Sequence, residues 1–289
     1  MNLVNRNAFI CMLKFEKGGI VAMIGQIWRW IARRRLTITF LLLGTVILLF
    51  IFIPLAKTLF SSSPSLLWET LLEGEVISSI WLTLYTALIA TVVGLLLGVP
   101  LAYFLARHSF RGKRFVEALI DVPIVVPHTA AGIALLFVFG QNFAIGRVFH
   151  SIGIDFVLSI PGIVIAMMFV SVPFLIDSAK QGFEKVDERL EKVARTLGAS
   201  PWQTFFRVSL PLAKGSIFGG SVMMWARGIS EFGAVLVLCS YPAIAPILVY
   251  TRLEEYGLKY ALPVASILII ICLVVFVGLR SFAYRRERA

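Results

Sequence analysis

Charge is scarce in this sequence. Only 15% of its 289 residues are Asp, Glu, Lys or Arg, against 59% that are hydrophobic. A soluble domain of that length has no room to hide so much apolar surface, so lipid is part of the chain's solvent. Acid is scarcer than base, 16 residues against 27 Lys and Arg, for a net charge of +11. In a chain with membrane-length apolar runs the positive-inside rule produces such an excess. No aromatic-basic platform accompanies it, which argues against nucleic acid as a partner. The cysteines are Cys11, Cys239 and Cys272, odd in number and without a CxxC pair, which excludes a disulfide framework and a thiolate zinc site. Cys239 and Cys272 sit in or beside apolar runs and read as small hydrophobes. His108, His128 and His150 lack metal-ligand spacing. There is no G-x-x-x-x-G-K-[ST] loop to cradle nucleotide phosphates, and no HExxH, GxSxG or paired-carboxylate arrangement. The chain therefore offers no catalytic residues and no cofactor or metal site of its own.

What it has in quantity is apolar length. A bilayer span takes about 20 residues, and six runs qualify: Leu36–Leu55, Val76–Ala106, Ile120–Phe143, Phe156–Ile176, Gly215–Leu238 and Tyr260–Leu279. Pro100 is a candidate kink in the second, and Asp121, Pro123, Pro127 and His128 interrupt the start of the third. Cations cluster before the first span (Arg29, Arg33, Arg34, Arg35) and between the second and third (Arg107, Arg111, Lys113, Arg114). They cluster again through the loop between the fourth and fifth, and after the sixth (Arg280, Arg285, Arg286, Arg288). The alternate loops hold few, and 66–76 is acidic through Glu69, Glu73 and Glu75. This predicts an all-α, multi-pass protein of six transmembrane helices with both termini in the cytoplasm. Residues 1–35 form an N-terminal cytoplasmic or interfacial segment, 36–280 the transmembrane domain and 281–289 a basic cytoplasmic tail. Phe9–Leu13 is too short an apolar core for a signal peptide. Gln26–Arg35 is amphipathic and basic and suits a helix lying on the inner membrane surface, and Met12 and Met23 are alternative starts.

The longest hydrophilic stretch, about 184–211, has local order of its own. Asp187 is an N-cap, Leu190, Val193, Ala194 and Leu197 recur at helical spacing, and Gly198 is a stop. Ser200-Pro201-Trp202-Gln203 is a second start, a capping box with Pro at the first helical position. Trp202, Phe205 and Phe206 give that second helix an aromatic face, and Leu210-Pro211 closes it before the fifth span. Two short helices about a hinge at Gly198-Ala199 suit either a rigid connector or a knuckle that receives force from a soluble partner.

Glu191, Ala194, Gly198 and Leu210-Pro211 resemble the glutamate-alanine-alanine loop of binding-protein-dependent ABC importer permeases, with Val193 in place of the first alanine. The segments 121–135 and 225–234 look like the third and fifth spans of the molybdate/tungstate branch, and sulfate permeases carry a segment similar to the second. The likeness covers most of 36–280. It implies a type I ABC importer permease fold that translocates molybdate/tungstate by alternating access. It also implies a coupling helix, at Glu191, Ala194, Gly198, Ala199, Ser200, Pro201, Trp202 and Gln203, seated on an ATPase subunit. One loop per chain then implies a homodimer with two ATPase subunits, which bind the ATP and magnesium, and an oxyanion-binding protein on the outer loops near 66–77, 146–155 and 240–256. A sulfate or phosphate permease is the rival within the class, and a gradient-driven anion transporter or channel the rival outside it.

Arg227 and Glu231 stand four apart inside the fifth span and share a helix face. Ionisable groups at that depth are costly. They form either a structural pair that locks the span or a lining for the anion route, with Ser230 beside them. Asp121 and His128, at the cytoplasmic start of the third span, either cap a helix and bind carbonyls freed by the prolines or take part in conduction.

Overall fold

The computed structural model describes residues 35–287, and the described residues contain helices and loops but no strand. The segment expected at 1–34, with its interfacial helix and alternative starts, lies outside the described residues. The chain divides at Lys57–Thr58 into two units. The first contributes most of α1 (Arg35–Phe60), a helix apolar on every side, as lipid surroundings require.

The second unit is built on α3 (Gly74–Arg107), α7 (Ile160–Glu184) and α10 (Leu210–Ile229). Small residues let these backbones approach, since lipid gives helices no hydrophobic reason to associate and close packing must do so. A Cβ on Gly182 would stand 2.5 Å from Ser216 Cβ, and one on Gly220 2.7 Å from Ser178 Cβ. Hydroxyls within the spans bond back to carbonyls, as Thr83 does to Ser79 (2.6 Å) and Ser171 to Met167 (2.6 Å), which satisfies these donors without water. The outward faces are apolar, with Leu88, Val92 and Leu96 exposed along α3.

At 34 residues, α3 exceeds the need of a span. It extends about 51 Å against a ~30 Å hydrocarbon core. Its C-terminal end meets the long hydrophilic loop. Its N-terminal end meets the short helices α2 (Pro64–Leu72) and α12 (Ala245–Tyr256). There Thr83 Oγ1 accepts the Ala245 N–H (2.8 Å), and Arg252 binds Glu73 (2.5 Å) and Glu75 (3.1 Å). A further short helix, α6 (Ala144–Ser151), precedes α7 and is tied off by His150 and Gln141 on Asp155 (2.7 and 3.0 Å).

Several expected spans differ in outline. Among the described residues, the four helices long and apolar enough to cross a membrane are α1, α3, α7 and α13 (Leu258–Glu287), and α3 runs through Pro100 as one helix. The fourth span begins at Ile160 rather than Phe156, because Ser159 caps it. The third expected span is two helices, α4 (Lys113–Val125) and α5 (His128–Phe139), bent by 114° at Val126-Pro127. Pro127 has no N–H to continue α4, and its ring drives Val126 into the extended region (φ −66°, ψ 133°). The fifth breaks too, into α10 and α11 (Gly233–Leu238) at 230–232. α10 is long enough to cross, but Lys214, Arg227 and its glycines keep it less apolar than the four. α13 continues into the segment expected as a tail.

Candidate functional site

The hydrophilic loop forms as its local chemistry dictates. Asp187 accepts the Arg189 N–H (2.9 Å) and starts α8 (Glu188–Thr196). Gly198, at φ +92°, ends it. Ala199 N–H bonds Ala194 O and Gly198 N–H bonds Arg195 O, each at 3.0 Å, the two bonds of a Schellman stop. The capping box follows, with Ser200 N–H on Gln203 Oε1 (2.8 Å) and Gln203 N–H on Ser200 Oγ (3.2 Å), opening α9 (Pro201–Thr204). The expected end at Leu210-Pro211 is not there. α9 passes through a π-helical turn, Phe205–Ser209, straight into α10. The turn's Leu210 N–H reaches back five residues to Phe205 O, so the chain stays helical up to Pro211, which sits in the first turn of α10 and needs no donor there.

Glu191, one of the expected docking residues, points inward. Arg107 donates to its Oε1 through Nε (2.8 Å) and pairs with it through Nη2, 2.7 Å away; Ser209 donates to the same oxygen (2.8 Å) and Tyr103 to Oε2 (3.1 Å). Arg107 Nη2 also holds Val186 O (3.0 Å). One carboxylate thus ties α8 to the end of α3 and to the π turn. Burial alone would raise the Glu191 pKa, but the hydrogen bonds from Arg107 and Ser209 outweigh it and hold the carboxyl below its ordinary range. With Glu191 turned in, the outward surface of the loop mixes apolar side chains with exposed charges such as Glu188 and Lys192. Leu197 is 83% exposed and Trp202 72% exposed, with Trp202 stacked on Phe206 at 5.9 Å. Ala194 lines a groove with Leu190, Val193, Leu197 and Leu212.

The two broken spans meet at the second cluster. Arg227 stands about 26 Å along α10 from Leu210, at 1.5 Å per residue. Its Nη2 is 3.2 Å from Glu231 Oε2 and 2.7 Å from His128 Nε2, and its Nη1 donates to Ser230 Oγ (3.1 Å). His128 Nδ1 lies 3.2 Å from the same Glu231 oxygen. Glu231 Oε1 accepts the Ala234 N–H (3.0 Å) and caps α11. The breaks touch backbone to backbone. A Cβ on Gly233 would be 2.8 Å from His128 Cβ, and one on Gly132 2.9 Å from Ala234 O. His128 is therefore not at the loop end of the third span, as the sequence suggested, but at the break beside Arg227. Asp121 stands apart, next to Asp177 of α7, with a buried Oδ1 that has no hydrogen-bond partner. Among the described residues no ion pair joins it to Arg227. Sequence reasoning missed Arg107, Tyr103 and Ser209 as partners of Glu191. Their residue types gave no signal, since Arg107 counted only as one more basic residue at a span end.

An all-helical membrane bundle with a capped, folded loop at one end and a charged break in its spans suits a transport subunit. The chain belongs to the family described as binding-protein-dependent transport system inner membrane component, whose sequence model matches residues 94–288. It is thus a multi-pass membrane component of a transport system and not an enzyme. It is 45% identical over 249 residues to the molybdate/tungstate transport system permease protein WtpB of Pyrococcus furiosus, covering 86% of this chain and 95% of that one. It is 32% identical over 271 residues to the probable sulfate transport system permease protein cysT of Chlorokybus atmophyticus, 91% of each chain. Among solved structures its fold is similar to that of a bacterial ABC transporter involved in import of the acidic polysaccharide alginate, at a TM-score of 0.70 and 18% identity, over 90% of this chain and 99% of that one.

Proposed function

We propose that the chain is the permease subunit of an ATP-driven importer that moves molybdate or tungstate inward by alternating access. The observation that carries the substrate is the likeness to the Pyrococcus furiosus permease, which extends over almost the whole of both chains. In this reading two copies form the pore. Each presents α8 and α9, with Trp202, Phe206 and Leu197 outward, to one of two ATPase subunits that bind ATP and magnesium. The loop end and both termini face the cytoplasm. The binding protein rests on the far end, over α2, α6 and α12. Closure of the ATPase pair moves the loops, and α10 carries that motion to Arg227, Ser230, Glu231 and His128 on the anion path. Asp121, off the cluster, has a packing role.

The test is uptake into liposomes holding this chain, its ATPase and its binding protein, with molybdate, tungstate and sulfate compared. Uptake of molybdate or tungstate that requires ATP supports the reading. Sulfate uptake alone keeps the architecture and moves the substrate to that of the cysT relatives. The broken spans favour a second reading, because gradient-driven carriers bind ions at discontinuous helices. Uptake that proceeds without ATP supports that one instead.

A further inference from the structure

Glu231 is the most enclosed member of its cluster, 1% exposed, while the Arg227 side chain in front of it is 25% exposed and His128 37%. Its two oxygens are held unequally. Oε1 takes a hydrogen bond from the Ala234 N–H (3.0 Å). Oε2 is 3.2 Å from both Arg227 and His128 yet has no hydrogen bond of proper geometry, although it is fully buried. The anchored oxygen fixes the carboxylate to α11, and the other is held by charge alone. Arg227 has further donors on Ser230 and His128, contacts that the oxygens of a tetrahedral anion can replace. His128 meets Arg227 Nη2 through Nε2 at 2.7 Å. The Arg227–Glu231 pair itself carries no net charge.

We infer that Glu231 is the resident counter-ion of the anion path. It neutralises Arg227 when the path is empty and yields the guanidinium to the passing oxyanion, which leaves when Glu231 takes it back. The inference rests on the transport reading above. Its physical basis is release. An unpaired guanidinium in a dry path would hold a dianion too tightly to let it go, whereas a cation already paired binds only by exchange. No element need move far, since Glu231 stays on Ala234 throughout and only the weakly held Oε2 contact opens.

The experiment measures retention of radiolabelled molybdate by the importer assembled with its ATPase in lipid nanodiscs, without binding protein. Glu231→Gln keeps an acceptor for the Ala234 N–H and removes the charge. The expected result is retention raised roughly tenfold, the equivalent of about 1.4 kcal/mol, with slower uptake in liposomes. Retention equal to wild type, with wild-type transport intact, overturns the exchange and leaves the permease reading standing. Retention gained by the variant when the wild type transports no molybdate supports the counter-ion and removes molybdate as the substrate. If Glu231→Gln does not assemble, the Arg227→Gln, Glu231→Gln double variant, neutral like the native pair, decides. Exchange predicts at least about tenfold slower uptake because the exchanging cation is gone. A pair that merely locks the span predicts uptake near wild type from the neutral amide pair, which would overturn the inference.

Discussion

Removing the Arg107 guanidinium leaves Glu191 partly buried beside Tyr103 and Ser209, with its charge uncompensated. Breaking a buried pair from one side costs about 3–5 kcal/mol, and the partial exposure here lowers the figure to about 2 kcal/mol. Arg107→Ala is expected to lower the melting temperature in detergent while the helical content stays native. Because the Glu191 pKa is depressed on folding, its contribution is full above the ordinary value of 4.5 and disappears as pH falls through the lower folded value. Thermal unfolding of wild type and Glu191→Gln across acid pH should therefore converge at the acid end and separate above it. None of this was legible in the sequence. Arg107 and Glu191 are 84 positions apart, and pairing over that distance is decided by how α3 and the loop dock. The motif residue Glu191 stood out, but its direction, into the protein and not toward a partner, did not.

At the scale of elements, the loop was legible almost residue by residue because caps and stops are local chemistry. Asp187, Gly198 and the Ser200–Gln203 box each act within a few positions. Gly198→Ala forces a side chain into a left-handed conformation at φ +92°, and about 1 kcal/mol is the expected loss. Ser200→Ala loses the capping bond at a similar cost of about 1 kcal/mol. Both are checked by denaturation of the purified chain, and by cleavage at the loop in limited proteolysis. The π turn escaped notice because Pro211 gives the same signal for a helix end and for a first-turn proline. The breaks were half visible. Pro123, Pro127 and the charges marked the places, but a 114° bend depends on where the second half can pack, and that place is supplied by Gly132 and Gly233. A Val at Gly233 would push into His128 Cβ and the Thr129 N–H. Gly233→Val should assemble with its ATPase yet lose most uptake, by separating the α5 and α11 breaks while leaving the distant loop intact.

For the whole molecule, composition and span length were enough to give an all-helical membrane protein, since lipid restricts the backbone to few solutions. The route from one end to the other was not visible before the structure placed it. α10 begins at the π turn beside Glu191 and Trp202 and ends at Arg227. A single helix thus links the surface we assign to ATPase docking with the charged break we assign to the anion path. Trp202→Ala removes exposed apolar surface and little packing, so it should weaken copurification of the ATPase without changing the chain's own stability. The central claim is that transport here is driven through the loop. It is tested most directly by measuring molybdate uptake into liposomes containing this chain and the binding protein, with the ATPase present or omitted and ATP inside. The account predicts uptake only when the ATPase and ATP are both present. Uptake that continues with the ATPase omitted would contradict it.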